Sequence, residues 1–104
     1  VWYLDLFAGK NDYDAVARAG EGGHKEINRT NLTRTQIEAA LEKPITTKQL
    51  ELLRMRCNCP AFAPGADVSI ESRGHVLTIE WKHDGHTACL QADLQKLTYH
   101  IDTV

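Results

Sequence analysis

No stretch of this sequence approaches the run of about 18 apolar residues that a membrane span requires. The apolar start Val1-Trp2-Tyr3-Leu4 is broken at once by Asp5, and no basic segment precedes it, so neither a membrane anchor nor a signal peptide is expected. Cysteine is sparse. Three thiols, an odd number, do not make a disulfide framework and point to reduced cysteines and a cytoplasmic location. Cys57-Asn58-Cys59 has one intervening residue, not the two of zinc knuckles and redox motifs. The sequence also lacks G-x-S-x-G, a P-loop and H-E-x-x-H, which takes support from the common motif-bearing enzyme classes. A large excess of positive charge is missing too. The net charge is −2, which argues against nucleic acid as the main partner.

What is present is ordinary for a globular protein. Of the 104 residues, 42% are apolar and 25% charged, a balance that allows a single core without staples. The reading is one domain over 1–104, with short elements and a glycine-rich loop in 1–31, a helix pair in 32–58 and an antiparallel sheet in 67–102. Charge is split between the last two parts. Residues 32–58 carry five basic and three acidic side chains, a balance of +2, and residues 59–104 carry three and six, a balance of −3.

Residues 1–8 suit either a short strand or a helical turn. Asn11 or Asp12 can cap a short helix that Gly20 stops. The segment 20–31 has three glycines in four residues and reads as a mobile loop. Residues 32–53, LTRTQIEAALEKPITTKQLELL, are nearly repetitive. Thr33 with Gln36 and Thr46 with Gln49 both match the capping box, and Leu32 with Ile37 and Ile45 with Leu50 match hydrophobic staples. Pro44 separates two helices, over 34–42 and 47–57.

From Asp67 the hydrophobic period changes to two, which predicts a four-stranded meander. Turns at Arg73-Gly74, Asp84-Gly85 and Leu94-Gln95 pair Ile70 with Leu77, Val68 with Ile79, Trp81 with Ala88, Ile79 with Leu90, Leu97 with Ala92 and Tyr99 with Leu90. These pairings place the apolar residues on one face. The expected fold is therefore α+β, a helix pair packed on one face of a four-stranded antiparallel meander. Ile37, Leu41, Leu50, Leu53 and Met55 or Val16 would cover the apolar face.

The same pattern defines the other face. It predicts one row of Asp67, Glu80, Cys89 and His100 and a second of Ser69, Thr78, Gln91 and Thr98. Such a face is ordinarily the solvated side of a half-covered sheet. It is also the best candidate surface for a partner, through Asp67, Glu71, Glu80, Lys82, Gln91 and His100 with the 82–87 turn. No metal site, catalytic group or cofactor is expected. The function inferred is stoichiometric binding without catalysis: a small protein that blocks a macromolecular partner, such as an immunity or antitoxin protein neutralising a basic toxin or nuclease. A competing surface is the basic helical edge of Arg34, Lys48, Arg54 and Arg56. The alternatives are an RNA-cleaving enzyme using His24, Lys25 and His100 as acid–base groups, and a helix-turn-helix that reads DNA through Thr46, Thr47, Lys48, Gln49 and Arg54. Oligomeric state is left open.

Overall fold

The N-terminal residues take the helical option. Tyr3–Leu6 form a single turn, α1, and Tyr13–Ala19 form α2. Asp12 caps α2 by accepting the amide of Ala15 at 2.9 Å, and Gly20 leaves the helix with φ +69°. The computed structural model describes all 104 residues in two compact units, Val1–Leu52 and Leu53–Val104.

The glycine-rich loop of the first unit is pinned. It contains a short 3-10 turn, Gly23–Glu26. Four hydrogen bonds tie its continuation to residues 2–12. The Trp2 indole donates to the Asn28 carbonyl, the Tyr3 hydroxyl to the Thr30 carbonyl, the Asp12 amide to the Ile27 carbonyl and the Thr30 hydroxyl to the Lys10 carbonyl. Gly23 is buried, and a Cβ there would lie 2.6 Å from Ala19 Cβ. Glycine is needed at this point because the loop passes directly over α2. Composition alone suggested mobility; backbone carbonyls that accept from aromatic and hydroxyl side chains supply the restraint.

Two more helices follow, α3 over Arg34–Leu41 and α4 over Pro44–Asn58. Thr33 forms the expected capping box. Its hydroxyl accepts the Gln36 amide at 3.3 Å, and Gln36 Oε1 accepts the Thr33 amide at 2.8 Å. Thr33→Ala should cost about 1 kcal/mol, seen as faster hydrogen exchange in the first turn of α3; unchanged exchange would show that the cap contributes nothing.

The second capping box does not form. Pro44 opens α4 instead of sitting in a corner before it, as suits a residue with preset φ and no amide to leave unpaired. Thr46 therefore lies inside the helix, fully buried, and its hydroxyl has no hydrogen-bond partner. Gln49 is turned to another use: its amide donates to the carbonyls of Asp5 and Leu6 at 3.4 and 3.3 Å. Lys43 Nζ donates to the carbonyls of Phe7 and Ala8 at 3.1 and 3.0 Å. Together they satisfy the carbonyls that a one-turn helix leaves open at its C-terminal end. The proposed staple through Ile45 is lost with the cap, and Ile45 is exposed.

The second unit is built around the meander. Strands β1 (Asp67–Arg73), β2 (Val76–His83), β3 (His86–Asp93) and β4 (Thr98–Thr103) form an antiparallel sheet in that order, giving the α+β fold. Asp84 and Gly85 both have positive φ, +46° and +82°, as a two-residue hairpin turn between twisted strands demands. The β2–β3 register is the expected one: Trp81 faces Ala88 and Ile79 faces Leu90.

The outer two registers each differ from expectation by two residues. Ile70 faces Ile79 and Val68 faces Trp81, because the turn is Gly74-His75. Tyr99 faces Ala92 and Ile101 faces Leu90, because the last connection spans four residues, 94–97. Asp93 holds that connection by accepting the amides of Gln95 and Lys96 at 3.0 and 2.9 Å. Leu97 thus leaves the sheet, with φ +55° and 85% exposure. A shift of two keeps every side chain on its expected face.

One cover for this face was not foreseen. A 3-10 turn, Pro60–Phe62, packs on β2 and β3, and its Ala61 is fully buried, as is Ala88 of β3. Leu41 and Leu53, expected as cover, remain partly exposed.

Candidate functional site

Alternation along the four strands places Asp67, Glu71, Glu80, Lys82, Gln91 and His100 on the outward face, as expected from sequence. Their rows differ. Asp67 faces Lys82, not Glu80, and His100 stands in line with Glu71, Thr78 and Gln91, not with Cys89. The row through Glu80 is Ser69, Glu80, Cys89 and Asp102. The predicted Asp–Glu–Cys–His line is therefore corrected by the two-residue turn shifts.

Glu80 and Glu71 on this face have cationic neighbours on their own strands, and Asp102 has an imidazole. Lys82 Nζ lies 2.7 Å from Glu80 Oε2, Arg73 lies 3.3 Å from Glu71, and His100 Nε2 lies 2.9 Å from Asp102 Oδ1. The hydrogen bond from Lys82 to Glu80, reinforced by the carboxylate's charge, raises the lysine above its ordinary value. Side chains two apart on a strand point the same way, and this spacing makes the pairs. The charges of Glu71 and Glu80 are thus partly offset, and the face is a weaker lure for a basic partner than its formal count suggests.

Behind it lies an apolar groove of about 610 Å³ within the second unit. Trp81, Leu90 and Ile101 contribute from three strands, and Phe62 forms a wall. Phe62 and Trp81 meet edge to face with ring centroids 5.1 Å apart, and the Arg56 guanidinium lies 5.8 Å from the Phe62 centroid. Sequence reasoning assigned no element to residues 59–66 and so missed Phe62. The available signal was an aromatic residue bracketed by Pro60 and Pro64.

The other candidates fall in different units of the chain or are engaged. His24 and Lys25 lie on the 3-10 turn of the first unit, while His100 is on β4 of the second. Of the residues assigned to DNA reading, Thr46 is buried and Gln49 is spent on the carbonyls of α1. A recognition helix must present such side chains to base edges, so that reading is corrected. Arg34 pairs with Glu38 at 2.8 Å and Lys48 with Glu51 at 3.2 Å, which lowers the net field of the basic helical edge. Cys57 is exposed and Cys59 partly so, and both are free thiols.

No protein-family model matches the chain. It is, however, 49% identical over 94 residues to a sucrose 6(F)-phosphate phosphorylase of Ilumatobacter coccineus, an alignment that takes in 90% of this chain and 18% of that protein. It is 31% identical over 103 residues to a glucosylglycerol phosphorylase of Marinobacter adhaerens, covering 95% of this chain and 21% of the relative. A crystal structure of sucrose 6F-phosphate phosphorylase from Thermoanaerobacter thermosaccharolyticum superposes on the whole chain with a TM-score of 0.85 at 34% identity, using 20% of its own length. The chain is similar to one part of these phosphorylases.

That similarity to sucrose phosphorylases overturns the inference of an immunity or antitoxin protein, and with it the basic toxin or nuclease as partner. The chain spans about a fifth of the length of the curated relatives it matches. No helix is long and apolar enough to cross a membrane.

Proposed function

We propose that these residues form a non-catalytic part of a phosphorylase that splits a glucoside of the sucrose type with inorganic phosphate. The observation that carries this reading is similarity along the full chain, in sequence and in backbone, to sucrose 6(F)-phosphate phosphorylases.

Local chemistry supports a supporting role for the second unit. Glycosidic cleavage uses two carboxyl groups that converge on one bond. Glu71 and Glu80 instead lie in open rows of the sheet beside cations of their own strands. The outward-face residues Asp67, Glu71, Glu80, Lys82, Gln91 and His100 fit a solvated or interfacial surface better than a reacting centre.

The test uses the full-length gene product. It should release fructose 6-phosphate from sucrose 6F-phosphate only when inorganic phosphate is supplied, with the glucosyl group transferred to phosphate. Charge reversal at Glu80 should leave turnover nearly unchanged. Absence of phosphate-dependent cleavage with sucrose, sucrose 6F-phosphate and glucosylglycerol would refute the reading.

A further inference from the structure

We propose that the outer edge of β1 is a self-association surface: it pairs antiparallel with β1 of a second copy, about a two-fold axis through Ile70. The inference stands apart from the phosphorylase reading, because it uses only the geometry and charge of one strand.

Strand β1 lies at one side of the sheet, with β2 as its sole strand neighbour. No backbone hydrogen bond outside the β1–β2 ladder engages Asp67–Arg73. Amides and carbonyls along the far side of the strand are therefore open, and such an edge is a template for another chain. Natural edges are ordinarily blunted by shortness, proline, lysine or a bulge. β1 has seven residues, contains neither proline nor lysine, and keeps an unbroken register with β2 from Asp67 to Arg73. All seven residues are exposed.

The order of the side chains says which chain fits. An antiparallel copy centred on Ile70 sets Asp67 across from the partner's Arg73, and Arg73 across from the partner's Asp67. Two opposite-charge pairs thus close the two ends of the overlap. Between them Ile70 meets the partner's Ile70, Val68 the partner's Ser72 and Ser69 the partner's Glu71. Residues two apart share a face, so the apolar side of one sheet continues into that of the other. Two four-stranded sheets become one of eight strands. Other centres fit worse. Centring on Ser69 opposes Asp67 to the partner's Glu71, and centring on Glu71 opposes it to the partner's Glu71, like charges in both cases. Centring on Val68 or Ser72 leaves only three residues of overlap. A centre between two residues sets the apolar side of one sheet beside the polar side of the other.

Contacts within the protomer leave these charges usable. Arg73 lies 3.3 Å from Glu71 of its own strand, but its side chain is 86% exposed, and an exposed pair of this kind is weak. Lys82, which faces Asp67 from β2, is held by Glu80 at 2.7 Å. One strand from each protomer makes an interface smaller than the roughly 1,200 Å² at which standard assemblies begin, so the dimer is reversible.

The experiment is sedimentation velocity of the full-length protein from about 1 μM to about 100 μM. Dimer should appear as concentration rises. Asp67→Arg and Arg73→Asp should each weaken dimerisation about tenfold or more, since each turns two attractive pairs into two repulsive ones. The two variants mixed in equal amounts should dimerise again, because every charge in the mixed pair then faces its opposite. The double variant should also recover, for the same reason. A folding defect in either single variant would not be repaired by mixing. Monomer at every concentration overturns the proposal. So does a dimer that neither substitution weakens, which would place the contact elsewhere, the β4 edge included. Weakening without recovery in the mixture overturns it as well, since the substitutions would then act on β1 itself and not on a facing pair. Phosphorolysis enters none of these outcomes, so the functional reading stands or falls separately.

Discussion

Leu4→Ala is expected to destabilise the first unit by about 2–5 kcal/mol, the range for emptying a filled apolar site. Leu4 is 1% exposed and is the largest apolar side chain fully buried in the protein. Few other residues in its unit are as well buried, so little can collapse into the space. The expected readout is hydrogen exchange at the Gly9 amide, which donates to the Leu4 carbonyl at 2.8 Å, and at the Asp12 amide, which donates to Ile27 at 2.8 Å. A loss of about 2 kcal/mol corresponds to roughly thirtyfold more frequent opening. Gly9 sharpens the test. A Cβ there would lie 2.3 Å from Leu4 Cδ1, so Gly9→Ala alone should cost about 1–3 kcal/mol by overpacking. In the Leu4→Ala background the clash is gone, and the second substitution should cost almost nothing. Additive effects of the two changes would disprove direct packing of Leu4 against Gly9.

The second large effect is expected at Trp81. Full burial of a tryptophan makes truncation cost about 3–5 kcal/mol, and the partial exposure of Trp81 puts Trp81→Ala near 3 kcal/mol. Phe62→Ala should release the Pro60–Phe62 turn from the sheet while leaving the strand pairing in place. The edge-to-face contact between the two rings should show as a coupling of about 0.5–1.5 kcal/mol in a double-mutant cycle. Zero coupling would mean that the turn is held by Ala61 and the backbone alone. Near-ultraviolet circular dichroism would report loss of the ring pair independently of stability.

These sites show how far residue types lead. The capping box at Thr33 and the Asp84-Gly85 hairpin follow from chemistry within four residues, and both form as the sequence implies. The matching signals at Thr46 and Leu94-Gln95 do not form. Thr46, like Thr33, follows an apolar residue and has a glutamine three residues on, yet Pro44 starts the helix early, and Gln49 gains the open carbonyls of α1 as partners. Those carbonyls lie 43 and 44 residues away in the chain, beyond any local pattern. At the last turn, Asp93 can hold two amides with one carboxylate oxygen, and this favours four residues over two.

The candidate surface was readable by face but not by row. Function was less accessible still. Titratable groups on an exposed sheet look much the same in a binding protein and in a supporting part of an enzyme. An absence of motifs suits a standalone binder. A piece with no reacting centre of its own produces the same absence.

By itself the sequence determined that residues after 66 alternate, that a sheet follows, and which side chains share each face. Alternation repeats every two residues, so it forbids a slip of one and is blind to a slip of two. The tertiary structure alone chose between registers two residues apart, through the backbone geometry of Gly74-His75 and the Asp93 carboxylate. It alone placed Phe62 against Trp81 and buried Thr46, because those contacts join segments whose separation along the chain carries no periodic signal.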